Sequence, residues 1–201
     1  MNKTLKRAFS GAVYVAIMLF GTLYSVISFH ILFSLILIIS IYEIWKLRQG
    51  KTKFLSFLYI LIPLTLVHSI EQNIILYLFI LTWTFDTFAY LFGVKFGKHK
   101  IMPSVSPKKS WEGFIGGYIL TIVTAYITLE YFLLIDLHLA LIISLFLPFT
   151  ATIGDFIESH YKREARVKDS GNLIPAHGGM LDRIDAFMIT IPVIYLIINF
   201  L

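Results

Sequence analysis

Between Gly154 and Asp185 the acidic residues Asp155, Glu158, Asp169, Asp182 and Asp185 stand among Lys162, Arg163, Arg166, Lys168 and Arg183. Asp155, Ser159 and Lys162 are four and three residues apart, which puts them on one face of a helix. Gly171, Pro175 and the run His177-Gly178-Gly179 follow, and then Asp182-Arg183-Ile184-Asp185, whose carboxylates are three apart. Hard oxygen donors of this kind suit Mg²⁺, which binds through one or two carboxylates together with phosphate oxygens. The adjacent Lys and Arg match phosphate charge, and Gly178-Gly179 lets backbone amides approach a phosphate closely. Taken singly, each basic residue is explained as a device that orients a helix in a membrane. The carboxylates have no such explanation beyond charge balance, and His177 alone is equally a ligand or a solvated loop residue.

A second constellation begins at Asp86-Thr87 and runs through Tyr90, Gly93, Gly97, Lys98 and His99 to Ser106-Pro107-Lys108-Lys109-Ser110-Trp111-Glu112-Gly113. Asp86 sits about two turns inside an apolar run. An acid there costs a few kcal/mol, so it is expected to face a polar cavity or pair with a neighbouring helix. Lys108 and Lys109, flanked by Ser106 and Ser110, read as a phosphate-gripping loop that leads into a helix N-terminus, where exposed amides favour anions. Gly113 and Gly117, four apart, are read as a close helix-packing pair rather than as chemistry.

These residues need elements to hold them. The chain has 201 residues, 58% hydrophobic and only 14% charged, against roughly a quarter charged in soluble domains. Apolar runs of the length that crosses a ~30 Å hydrocarbon layer recur along it. The expected fold is therefore all-α, a polytopic integral membrane bundle of about seven transmembrane helices. The spans are placed near 9–27, 31–47, 54–70, 73–93, 113–130, 137–153 and 184–201, in one membrane-embedded domain, 1–201. The first run is too long for a signal-peptide core and lacks a small-x-small cleavage site, so it reads as an anchor. All 17 Lys and Arg fall on alternate connections, which puts the N-terminus in the cytoplasm. The two longest connections, about 94–112 and 154–183, lie on that same side, so the expected site is cytoplasmic. The net charge of +5 is thereby assigned to topology and lipid rather than to nucleic acid. The absence of cysteine removes disulfides, thiolate metal sites and Cys nucleophiles.

The run from Ser159 through Lys162-Arg163, Lys168-Asp169, Gly171, Pro175, His177-Gly178-Gly179, Asp182-Arg183 and Asp185 resembles the hallmark pattern of the phosphatidate cytidylyltransferases (CDP-diacylglycerol synthases). Asp86 to Gly93 and Ser106 to Gly113 resemble them too, with Ser110 where Thr is commoner. The specific resemblance covers the catalytic half, about 80–201; against bacterial members the front half is shortened. It implies transfer of CMP from CTP to phosphatidate, giving CDP-diacylglycerol and pyrophosphate, in a bacterial inner membrane. The implied partners are CTP, phosphatidate and membrane lipids, without nucleic acid, and a homodimer is allowed. The cofactor is Mg²⁺, with room for a second cation. By resemblance and geometry together, Asp155 and Asp182 hold the metal and Asp185 is a ligand or its neighbour. Ser159 and Lys162 orient phosphate, while Lys108, Lys109, His177, Gly178, Gly179 and Arg183 contact phosphates and Asp86 lines the cavity. The alternative is a CTP-dependent lipid or polyprenol kinase, which would release CDP instead of pyrophosphate. A small transporter is disfavoured because the polar residues gather at one face rather than at paired broken helices near the midplane.

Overall fold

The structure, a computed structural model, describes residues 3–129, 135–175 and 178–200. His177, and the turn placed at Glu130, lie outside the described residues. Among these the chain forms seven α-helices: α1 (Lys3–Leu23), α2 (Val26–Leu47), α3 (Phe54–Leu66), α4 (Gln72–Phe96), α5 (Trp111–Thr128), α6 (Leu137–Glu164) and α7 (Leu181–Phe200). A 3₁₀ turn, Val67–Ser69, extends α3 past Pro63. The α2, α4 and α6 helices are long and apolar enough to cross a membrane, and Ala8–Leu23 and Phe54–Ser69 are shorter apolar helices. The α2 helix is apolar on all sides: Phe29, Phe33 and Ile36 are buried while Ile27, Ile31, Leu35 and Ile38 face outward. An outward apolar face at helical spacing belongs in lipid rather than water. The molecule is an all-α membrane bundle.

Three boundaries differ from those read in the sequence. The second helix begins at Val26 rather than near residue 31, because Ser25 and Ser28 cap each other: Ser28 N donates to Ser25 Oγ at 3.0 Å and Ser25 N to Ser28 Oγ at 2.9 Å. Such reciprocal capping satisfies two otherwise unpaired amides. His30 therefore lies inside α2, its Nδ1 2.7 Å from Nδ1 of His68. The sixth helix runs on from residue 153 to Glu164. At 1.5 Å per residue its 28 residues span about 42 Å, more than the ~30 Å of hydrocarbon. Its last turns thus carry Asp155 to Lys162 towards the membrane boundary.

The third difference is a short antiparallel hairpin, β1 (Lys100–Met102) and β2 (Ser106–Ser110), in the loop ahead of α5. Glu112 fastens its base, accepting from Lys98 N and His99 N at 3.1 Å and meeting His99 Nδ1 at 2.6 Å. Ser110 Oγ then caps α5 by accepting from Gly113 N. No alternation of apolar residues announced these strands, because the hairpin is closed by polar contacts rather than by burying one face.

Two helix pairs position the site. The α4 and α5 helices form the most extensive helix–helix contact, and a methyl group on Gly113 would lie 2.5 Å from the Ala89 carbonyl. The packing role read for Gly113 is what the structure shows. The α6 and α7 helices run antiparallel in a constant register. Thr150 Oγ1 meets Thr190 Oγ1 at 2.8 Å, Gly154 faces the Asp185 and Ala186 backbone, and one turn further Glu158 comes level with Asp182. Gly154 has no room for a side chain, since a Cβ would collide with the Asp185 carbonyl oxygen. Tyr59 of α3 donates to the Gly154 carbonyl at 2.9 Å, which fixes α6 against the third helix.

Candidate active site

Because α6 and α7 meet so closely, Asp155 and Glu158 of α6 and Asp185 of α7 come together. Each offers a carboxylate oxygen, and these atoms lie within 4.8 Å of one another. Two ammonium groups flank them. Lys109, a half-buried residue of β2, pairs with Asp155, and its Nζ stands 5.3 Å from the Phe156 ring centroid. Lys162 pairs with Glu158 one turn along α6 and with Asp182 Oδ1 at 2.7 Å. Glu158 is fully buried and Lys162 is 9% exposed. Buried charges of this kind persist only when paired or when they coordinate a cation.

The carboxylates outnumber their basic partners. Like charges at 4.8 Å repel by roughly 3.5 kcal/mol per pair at an effective dielectric constant of about 20. Glu158 Oε1 is buried and accepts no hydrogen bond. An orphaned buried oxygen amid excess negative charge is what a bound divalent cation would satisfy, and an all-oxygen donor set fits Mg²⁺.

Asp182 stands apart from this group. Its Oδ1 takes Lys162, and its Oδ2 accepts from Ser170 N at 2.8 Å and Gly179 N at 2.7 Å, with Ser170 Oγ 2.9 Å away. A carboxylate with both oxygens engaged by the protein has little left for a metal. The acids whose oxygens lie within 4.8 Å of one another are Asp155, Glu158 and Asp185, and Asp182 holds Lys162 and the loop that precedes α7. The Gly179 amide, expected to reach for phosphate, instead turns inward to Asp182. Gly178 adopts φ +88°, which glycine reaches without strain, and its carbonyl accepts from Ile174 N at 2.9 Å. A side chain on Gly178 would collide with the Asp182 carboxylate.

A cavity of about 600 Å³ opens beside the cluster, lined by Asp86, Tyr90, Lys108, Lys109, Ser110 and Asp155 among others. Asp86 borders this cavity from α4. Lys108 is exposed on the hairpin and Arg183 on the first turn of α7, whereas Ser159 is buried on α6.

Two acids take up roles that sequence reasoning missed. Glu158 was weighed only as one charge among several, although its spacing of four from Lys162 signalled the pair. The second is Glu43 of α2. In the structure it is buried and accepts hydrogen bonds from Met180 N and Leu181 N. Nothing in the local sequence around residue 43 announces a partner 137 positions away.

Comparison with known proteins places these residues in a family. The chain is 42% identical over 125 residues to a phosphatidate cytidylyltransferase of Staphylococcus haemolyticus, 62% of this chain and 48% of that one. It is likewise 42% identical over 125 residues to that of Staphylococcus saprophyticus, and 41% identical over 126 residues to that of Staphylococcus aureus strain COL, with the same shares covered. The chain thus spans about half the length of the curated relatives it matches. Residues 54–201 match the cytidylyltransferase family; they hold all three carboxylates, both ammonium groups and the cavity wall, and the chain belongs to that family.

Proposed function

We propose that this protein transfers the CMP moiety of CTP to phosphatidate, producing CDP-diacylglycerol and pyrophosphate. The observation that carries the reading is the buried group Asp155, Glu158 and Asp185, flanked by Lys109 and Lys162 and opening on a cavity at one end of the bundle. Family membership and the names of the relatives point the same way. The attacking group is an oxygen of the phosphatidate phosphate, whose second pKa of about 6 leaves it largely ionised at neutral pH. It forms a bond to the α-phosphorus of CTP as the bond to pyrophosphate breaks, so no side-chain nucleophile or strong base is required. The protein's task is to align the two phosphates and offset their charge.

Asp155, Glu158 and Asp185 would hold Mg²⁺, with room for a second cation beside the substrate. Such a cation, when bound, screens phosphate charge and polarises the phosphorus–oxygen bonds. Lys109 meets phosphate at the cavity wall, and Lys108 and Arg183, both exposed, gather the triphosphate or the lipid headgroup, with His177 and Gly178 as further phosphate contacts. Lys162 holds Glu158 and Asp182 in place, with buried Ser159 on the same stretch of α6, and Asp86 bounds the cavity on the α4 side. The catalytic half, about 80–201, works within a single membrane domain. The N-terminus and the site face the cytoplasm of a bacterial inner membrane, and a homodimer is compatible with the outward apolar faces.

Purified protein incubated with radiolabelled CTP, phosphatidate and Mg²⁺ should yield a cytidine-containing lipid and pyrophosphate. Release of CDP with a newly phosphorylated lipid would identify a kinase instead. A reporter fused after Leu201 should read as non-cytoplasmic, and a cytoplasmic signal would overturn the orientation.

A further inference from the structure

We infer that Glu43, on α2 and outside the family-matched residues 54–201, is a positioning residue that fixes the carboxylate cluster from a distance. Its catalytic consequence rests on the cytidylyl-transfer reading above; its structural consequence does not. Glu43 is 4% exposed, a depth at which carboxylates need firm partners, and it forms no ion pair among the described residues. Its partners are hydrogen-bond donors. Met180 N donates to Oε1 at 2.9 Å, and Leu181 N and Ser170 Oγ donate to Oε2 at 2.8 and 2.9 Å.

These donors explain why an acid stands there. The first amides of a helix have no partner within it, and Met180, just ahead of α7, has no side-chain oxygen to cap them. Glu43 supplies the cap from another helix, with its negative charge at the positive end of the α7 dipole. From Ser170 the contacts continue towards the cluster. Ser170 N donates to Asp182 Oδ2 at 2.8 Å, Asp182 Oδ1 takes Lys162, and Lys162 pairs with Glu158. One unbroken series of contacts therefore joins α2 to the proposed cation ligands. The loop closes tightly over it: a methyl group on Gly179 would lie 2.5 Å from both oxygens of Glu43. Ser10 of α1 adds a second tether, donating to the Pro175 carbonyl at 2.8 Å.

Both oxygens of Glu43 only accept. In Glu43→Gln the amide NH₂ must confront a backbone donor, either Met180 N or Leu181 N, and flipping the amide merely chooses which. Glu43→Asp keeps the charge but is one methylene too short to reach both amides.

The test uses the full chain in lipid nanodiscs, with Glu43→Gln, Glu43→Asp and, as a control, Glu71→Gln at the opposite end of the bundle. Site-resolved hydrogen exchange is measured together with steady-state kinetics and the Mg²⁺ concentration for half-maximal activity. For Glu43→Gln, exchange at Met180 and Leu181 should rise by about tenfold or more, the range expected when bonds to a charged acceptor are lost. The rise should be confined to about 169–182. Turnover should fall at least about tenfold and the Mg²⁺ requirement should rise, while KM for CTP stays within about twofold. Glu43→Asp should shift the same readings in the same direction. Wild-type exchange and turnover in Glu43→Gln would overturn the inference, and so would a uniform rise in exchange along the whole chain. If the wild-type chain forms no CDP-lipid while Glu43→Gln still loosens 169–182, the positioning role stands and the assigned reaction fails.

Discussion

Replacing Asp185 by Asn should make the cation-free protein more stable and the enzyme inactive, opposite effects from one atom. Asp185 shares the 4.8 Å group with Asp155 and Glu158, so losing its charge removes two of three repulsive pairs, each worth roughly 3.5 kcal/mol at an effective dielectric constant of about 20. Lys109 and Lys162 already offset part of that repulsion, and proton uptake offsets more. The realised gain should therefore be about 1–3 kcal/mol. The backbone is spared, because Asn retains the side-chain oxygen that accepts from Ala186 N at 2.8 Å. For a chain of this size the gain corresponds to a rise of roughly 2–10 °C in melting temperature. Thermal melts in detergent, in EDTA and in Mg²⁺, run beside the radiolabelled CTP assay, measure both effects. Mg²⁺ should raise the wild-type midpoint markedly and the variant's much less, with product formation lost in the variant. If Asp185→Asn melts at or below the wild type in EDTA, or if Mg²⁺ stabilises both equally, the three carboxylates do not form a repulsive cation site.

Four further outcomes are expected. Lys162→Met leaves Glu158 and Asp182 without their shared ammonium partner and should cost roughly 3–5 kcal/mol in chemical unfolding, as breaking buried pairs does. Gly154→Ala drives a methyl into the Asp185 carbonyl, so α6 and α7 must part. It should cost about 1–3 kcal/mol and reduce turnover by up to about a hundredfold, the penalty of a ~1 Å misplacement. Gly50→Ala, at φ +74° in open space, should lose only about 1–2 kcal/mol and keep its turnover. Glu112 lies just ahead of the apolar run of α5. Its own backbone N–H first, then the His99 side chain, hold its carboxyl down at about 2, below the ordinary 4.5. A depressed carboxyl stabilises the hairpin fully above the unfolded value and loses that contribution as pH falls towards the folded one. Trp111 fluorescence should therefore stay unchanged from pH 7 to about 5 and shift only in stronger acid, with the acid step absent in Glu112→Gln.

Much of this protein was legible before any coordinates. Helix number and membrane class follow from apolar length and from the confinement of basic residues to alternate connections. Those signals are local, because each span must by itself satisfy its backbone hydrogen bonds in lipid. The candidate site was legible for a similar reason: Asp155, Ser159 and Lys162 fall on one helical face, and Asp182 to Asp185 are adjacent in the chain. Spacing alone placed the acids near one another.

Tertiary structure decided which acids meet. Whether Asp182 or Asp185 faces Asp155 depends on the rotation and register of α7 against α6, and Gly154 sets these by admitting the Asp185 backbone where a side chain would block it. The hairpin depends on Glu112 reaching back to Lys98 and His99. Glu43 depends on α2 coming to rest at the mouth of α7. Each is a contact between segments far apart in sequence, specified by packing across the bundle. Residue type and spacing along the chain report which groups are present, but packing determines which of them share a cation and which hold the others still.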